Sequence, residues 1–108
     1  MADVSISRHT VNDGVLCLAV TGEVDLSSCD RVAAAIGDAI LTRHIAEVVV
    51  DLDGVRFLDS SGVHVLVAGY HLAAQHCVRY VIANPRDLVR KVLAVTGVLT
   101  VLTAPSEP

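Results

Sequence analysis

The chain is 108 residues long, enough for one hydrophobic core but not for two. Lys and Arg number 8 against 12 Asp and Glu, and the resulting net charge of −4 argues against nucleic acid as a direct partner. Apolar residues make up 53 %, yet the only aromatics are two Tyr and one Phe, so the core must be aliphatic and no base-stacking platform exists.

Val4-Ser5-Ile6-Ser7-Arg8 alternates and predicts a half-buried edge strand. Asn12-Asp13-Gly14 predicts a turn, since Asp-Gly adopts positive backbone dihedrals at little cost. It leads into Val15 to Thr21, a nearly all-apolar strand, and the two strands should form an antiparallel hairpin. Ser27 opens the first helix, with Asp30 three residues on as a weaker form of the capping box. Val32, Ala35, Ile36, Ala39 and Ile40 form its buried stripe, and its end is expected near Arg43.

Glu47 to Leu52 is the third strand, placed centrally by its Val-Val-Val run, and it passes into a loop that reaches Leu58. The second helix follows from Ser61 to Gln75. Val63, Leu66, Val67, Tyr70 and Ala74 share one stripe, His64, His71 and Gln75 a polar one, and Val65, Gly69 and Leu72 a third face. Arg79 to Ala83 is strand four. Asn84-Pro85 reads as an N-cap followed by proline, opening a third helix that buries Leu88, Val89, Val92 and Leu93 and stops at Gly97. Val98 to Leu102 predicts a short final strand, and Ala104 to Pro108 a flexible tail. The order β-β-α-β-α-β-α-β implies an α/β domain over residues 1–103, with right-handed crossovers to parallel strands and helices packed on the sheet.

Several chemistries lack support. No apolar run approaches the roughly 20 residues that span a bilayer, and Met1-Ala2-Asp3 carries no basic stretch ahead of an apolar one. A soluble cytoplasmic protein with no membrane partner is the simplest reading. Cys17, Cys29 and Cys77 are odd in number and form no C-x-x-C, so buried reduced thiols are expected. The five histidines have no zinc-ligand spacing, and neither a metal nor another cofactor is expected. Arg86, Arg90 and Lys91 read as the solvated face of a helix.

The informative segment is Asp59-Ser60-Ser61-Gly62, at a strand-to-helix turn where a small hydroxyl sits among unpaired backbone N–H groups. Ser60 or Asp59 could be a plain N-cap worth ~1 kcal/mol. A nucleophilic serine would lack the G-x-S-x-G elbow, and His64, one turn from Ser61, is directed away from the helix's open end; Asp25 or Asp59 would have to orient it. Neither phosphate-cradle motif, G-x-x-x-x-G-K-[ST] or G-x-G-x-x-G, occurs. An aspartyl-phosphate receiver would need an acidic cluster near the end of its first strand, which Val4 to Arg8 lacks. A phosphoacceptor serine would gain about −1.5 to −2 charges. The helix N-terminus would favour that anion by up to roughly 2 kcal/mol, while Asp59 and an acidic or apolar partner would disfavour it. The net expectation is an intact fold with a lost interface. Val65, Gly69 and Leu72 offer a flat apolar strip for such an interface, unless that strip packs inside the domain.

The whole chain resembles the STAS family, the bacterial anti-sigma factor antagonists. Gly22-Glu23-Val24-Asp25-Leu26 is similar to the family's G-E-x-D motif after its second strand. Val50-Asp51-Leu52 through Phe57-Leu58-Asp59-Ser60-Ser61-Gly62 resembles its phosphorylation segment, and Asn84-Pro85 and Val92 to Val98 its C-terminal end. The resemblance implies a mixed, mostly parallel sheet with helices mainly on one face, and no enzymatic activity. It implies that the unphosphorylated protein binds an anti-sigma factor that is also a serine kinase, freeing the sigma factor. That kinase would phosphorylate Ser61, and a PP2C-type phosphatase would restore it. Asp59 and Ser60 would flank the acceptor, Gly62 would allow close backbone approach, and Gly22, Glu23 and Asp25 would border the same partner surface. Cys29 stands where many members carry proline, and His64 where glycine is frequent. A weak homodimer is a further partner to test. The alternatives are a STAS scaffold that never carries phosphate, in a stress-signalling or lipid-transport complex, and a small hydrolase using Ser61.

Overall fold

The computed structural model describes residues 4–103, and the expected tail at 104–108 lies outside the described residues. The elements are β1 (Ser5–Asn12), β2 (Val15–Val24), α1 (Cys29–Ile40), β3 (Glu47–Leu58), α2 (Ser60–Gln75), β4 (Arg79–Ala83), α3 (Asp87–Val95) and α4 (Leu99–Thr103). The four strands form one sheet in the order β1-β2-β3-β4. β1 and β2 make the antiparallel hairpin, turning at Gly14 with φ +82. β2, β3 and β4 run parallel, joined by α1 and α2.

The core lies on one face of the sheet. Leu16, Val48 and Tyr80 align in one row across the parallel strands, and Leu18, Val50 and Ile82 in the next. All six are essentially inaccessible and join a single cluster with Val32, Ile36, Ala39 and Ile40 of α1 and Val63, Leu66 and Ala73 of α2. The opposite face carries Cys17, Val49 and Val81, then Ala19, Asp51 and Ala83, and none of these belongs to that cluster. Burial there, and the negative charge of Asp51, push the Cys17 thiol up. Cys17 and Cys29 are buried free thiols as expected, whereas Cys77 is exposed.

Several boundaries differ from the sequence reading. β1 continues to Asn12, β2 to Val24 and β3 to Leu58, so the segment expected as a loop after Leu52 is strand. β3 can extend because β2 extends beside it: Gly22 pairs with Val55, Glu23 with Phe57 and Val24 with Leu58. The N-cap of α1 is Ser28 rather than Ser27, and the helix ends at Ile40, short of Arg43. Asn84 does not cap a helix: it adopts φ +55, its side-chain amide donates to Asp51 Oδ1 (3.1 Å), and α3 starts only at Asp87. Leu88, expected inside, is 48 % exposed, while Val89 and Leu93 are fully buried.

The last element is also different: residues 99–103 are helix, not a fifth strand. Gly97, with φ +81, ends α3 and turns the chain. A strand would have sent Val98, Thr100 and Leu102 to one side. A helical turn instead turns Val98, Leu99 and Leu102 inward together and leaves Thr100 and Val101 in water. The Leu102 N–H donates to the Val98 carbonyl at 3.0 Å. For so short a run, burial of three apolar side chains outweighs β-propensity.

α2 packs against both the sheet and α1. Val65 is 8 % exposed and joins the core, Gly69 is buried and Leu72 packs half-buried against the same cluster. These three therefore do not form a surface strip. Gly69 lets the elements close together: a Cβ there would lie 2.5 Å from Tyr80 Oη and 2.8 Å from Ile36 Cγ2. Tyr80 brings the aromatic bulk that needs this space, and its hydroxyl donates to the Leu66 carbonyl at 2.9 Å. Gly69→Ala should destabilise the fold by about 1–3 kcal/mol through overpacking. Denaturant unfolding checks this, and an unchanged midpoint would show that α1 and Tyr80 relax freely.

Candidate functional site

The parallel arrangement places the C-terminal ends of β2 and β3 side by side, and the chain leaves each of them into a helix. After β2 comes a loop at residues 25–28; after β3, Asp59 turns directly into α2. The two exits are tied together, since the Asp59 N–H donates to the Val24 carbonyl at 3.3 Å. Asp25 thus follows the strand end that adjoins the Asp59 turn, while Gly22 and Glu23, expected in a loop, are strand, and pair with Val55 and Phe57.

Asp59 is the N-cap of α2. Its backbone is extended, and Oδ1 accepts from the Ser61 N–H at 2.9 Å and the Gly62 N–H at 3.2 Å. The capping role therefore belongs to the carboxylate and not to either serine. Ser60 is exposed and Ser61 half-buried. No described residue hydrogen-bonds to the Ser61 hydroxyl, and no histidine side chain reaches it. Its neighbourhood is a helix N-terminus whose two nearest amides already hold one carboxylate.

Gly62 faces inward. A Cβ at this position would lie 2.3 Å from Leu58 Cδ1 and 3.0 Å from Val24 Cγ1, so the glycine allows α2 to start against the strand ends. The glycine thus serves close approach within the fold. Gly22 has φ +103, in the region that favours glycine, and the β2–β3 register shifts immediately after it. That irregularity re-aims Glu23 and Val24 towards the Asp59 turn.

Asp25 closes the loop. Its Oδ1 accepts from the Ser27 hydroxyl (2.7 Å), the Ser27 N–H (3.0 Å) and the Ser28 hydroxyl (3.3 Å). The Ser27 hydroxyl above all, helped by the Ser27 N–H and the Ser28 contacts, outweighs the opposing desolvation and holds the Asp25 carboxyl below the ordinary carboxylate range. Ser27, expected to cap α1, serves this loop instead. Sequence reasoning also missed two apolar side chains at the same edge. Leu26, next to Asp25, is 77 % exposed, and Phe57, paired with Glu23, is 37 % exposed. Both lay inside the recognised motifs, and only their exposure marks them as surface.

The fold is a single α/β domain in which a serine stands at a helix start beside two parallel strand ends. The STAS domain model matches residues 8–107, and the chain belongs to the STAS domain family. It is 28 % identical over 89 residues to the anti-sigma F factor antagonist of Paenibacillus polymyxa, covering 82 % of this chain and 76 % of that one. An anti-sigma factor antagonist from Mycobacterium paratuberculosis superposes with TM-score 0.80 at 25 % identity, covering 93 % of this chain and 83 % of the other. The unphosphorylated anti-sigma factor antagonist SpoIIAA has the same fold, with TM-score 0.78 at 21 % identity and coverage of 95 % and 89 %. The phosphorylated form of SpoIIAA, from Bacillus, matches with TM-score 0.71 at 21 % identity and coverage of 95 % and 92 %.

Two outcomes test the site. Asp59→Ala should cost about 1 kcal/mol of stability, because two helix amides lose their acceptor, measurable by denaturant unfolding; no loss would mean water replaces the carboxylate without penalty. The Asp25 turn should persist at neutral and mildly acidic pH and open only below the range where a free aspartate protonates. The sign follows from a depressed carboxyl: the folded state binds its proton later than the unfolded chain, so stabilisation is lost as pH falls through the folded value. The Ser27 amide shift in an NMR titration reports this, and a transition at or above the free-aspartate range would contradict it.

Proposed function

We propose that this chain is an anti-sigma factor antagonist that binds an anti-sigma factor while Ser61 is unmodified and releases it once Ser61 is phosphorylated. The observation that carries this reading is the division of roles at the turn. Asp59 caps α2, so the Ser61 hydroxyl is spared structural duty and stands at the edge of a helix N-terminus. A phosphoryl group there adds about −1.5 to −2 charges without removing any bond that holds the fold. The names of the curated relatives support the antagonist role, and the existence of SpoIIAA in a phosphorylated form supports the switch.

The binding surface comprises the end of β2 at Gly22 and Glu23, the loop at Asp25, the Asp59-Ser60-Ser61 turn, and Leu26 and Phe57 as exposed apolar contacts. Apolar anchors beside polar groups are what a reversible interface uses. New charge at Ser61 would face desolvation against the partner and repulsion from Asp59, which weakens the complex rather than the domain. The kinase is the anti-sigma factor itself, the transferred group comes from ATP, and a PP2C-type phosphatase resets the switch.

The test is incubation with each ATP-dependent anti-sigma serine kinase encoded in the same genome. Label should enter Ser61 and vanish in Ser61→Ala; a chain that accepts none is a scaffold and not a phosphorylation switch. Ser61→Glu should lose at least tenfold in affinity for the same kinase with its melting temperature nearly unchanged. Undiminished affinity would place Ser61 outside the interface, and unfolding would return it to a structural role.

A further inference from the structure

Ser28 is the only buried polar or charged residue apart from Tyr80 among the described residues, at 4 % exposure. It occupies the N-cap position of α1, yet its side chain makes no capping bond to that helix. The hydroxyl turns backward instead. It donates to the Glu23 carbonyl at 2.9 Å, with Asp25 Oδ1 nearby at 3.3 Å, and accepts from the Asp25 N–H at 3.1 Å. A serine that gives up the ordinary cap in favour of two backbone groups on the preceding strand end is serving that strand end.

The residue between those two groups is Val24. Its carbonyl accepts the Asp59 N–H, its side chain is 2 % exposed, and its Cγ1 faces Gly62. Asp59 in turn holds the amides of Ser61 and Gly62. A continuous set of hydrogen bonds therefore runs from the Ser28 hydroxyl, through the backbone of Glu23 to Asp25, to the turn that carries Ser61. The ladder cannot supply this support alone, because the β2–β3 register shifts between Gly22 and Glu23, just before the last two pairs.

We propose that Ser28 is a positioning residue for partner recognition: its buried hydroxyl locks the Glu23–Asp25 strand end against the Asp59 turn, so that the loop and Ser61 are presented as one rigid surface. This rests on the antagonist reading above and adds to it the residue that fixes the surface's shape. Ser28 itself touches no partner. Its removal leaves the Glu23 carbonyl without its donor and the Asp25 N–H without its acceptor, and the penalty falls on the recognition loop rather than on the core.

The test combines amide hydrogen exchange on the free chain with binding to the anti-sigma kinase that labels Ser61. In Ser28→Ala, exchange at Asp25, Asp59, Ser61 and Gly62 should rise about tenfold while the β4 amides Arg79 to Ala83 keep theirs. Affinity should fall about tenfold. Ser28→Thr, which keeps a hydroxyl, should recover both. Gly69→Ala, destabilised in the core away from this loop, should keep its affinity. Unchanged exchange at Asp59, Ser61 and Gly62 would overturn the positioning role whatever the binding assay gave. Equal loss of affinity in Ser28→Ala and Gly69→Ala would reduce Ser28 to general stability, overturning it too. If the unaltered chain bound no anti-sigma kinase, the antagonist reading and the recognition role would fall together, and the exchange data alone would decide whether Ser28 couples the two turns.

Discussion

The parallel pairing of β2 with β3, carried past the end of β4 to Val24 and Leu58, is the constraint on which the rest of this molecule depends. Parallel strands deliver their C-terminal ends to one edge of the sheet, where α/β domains place their ligand and partner sites. Here the two exits run on beyond β4, which pairs only as far as Asp51 with Ala83. The strand ends therefore project as a pair and are held by contacts from outside the ladder. Val24 to Asp59, Gly62 against Val24 and Leu58, and Ser28 against Glu23 and Asp25 supply them. Gly22, with its positive φ, makes the bend that aims them.

At the turn, the helix cap and the Ser61 hydroxyl belong to different residues. Asp59 satisfies the first amides of α2, and Ser61 contributes its backbone but not its hydroxyl. Adding a phosphoryl group would bring two effects of similar size into play on the fold. A helix N-terminus favours an anion by up to roughly 2 kcal/mol, while like charges about 4 Å apart in water repel by about 1 kcal/mol. Their near balance leaves the domain intact. A partner pressed over the same spot removes the water that screens the charge, so the larger consequence falls on the complex.

The core accounts for the apolar face of the second helix. α2 packs on the sheet and beside α1, and Gly69 permits this by leaving room for Tyr80 and Ile36. The Tyr80 hydroxyl, whose pKa burial raises, finds its acceptor in the Leu66 carbonyl of that helix. An aliphatic core with one deeply placed aromatic needs such a recess. The apolar character of Val65 and Leu72 is accounted for by packing, and the exposed apolar contacts near the site are Leu26 and Phe57, on the strand ends instead.

Much of the chain's organisation was legible before any coordinates. Alternation and Asp13-Gly14 marked the hairpin, the Val48-Val49-Val50 run marked a central strand, and helical spacing marked the buried stripe of α1, because these signals are local and periodic. The motif around Asp59 to Gly62 also stood out, as did its pairing with Gly22 to Asp25 through family resemblance. Other features depended on residues distant in sequence. Whether residues 53–58 are loop or strand depended on β2 staying beside them, and whether residues 98–102 are strand or helix depended on which side chains the core could take. The choice of Asp59 over the serines as cap, the inward turn of Val65 and Gly69, and the backward reach of Ser28 were likewise set by tertiary contact. Sequence by itself determined the elements and the chemistry available at the turn, since periodicity and residue type are written along the chain. Only the tertiary structure decided which hydroxyl is spared and which is spent on the fold, because a hydrogen bond goes to whichever partner the packing brings within reach.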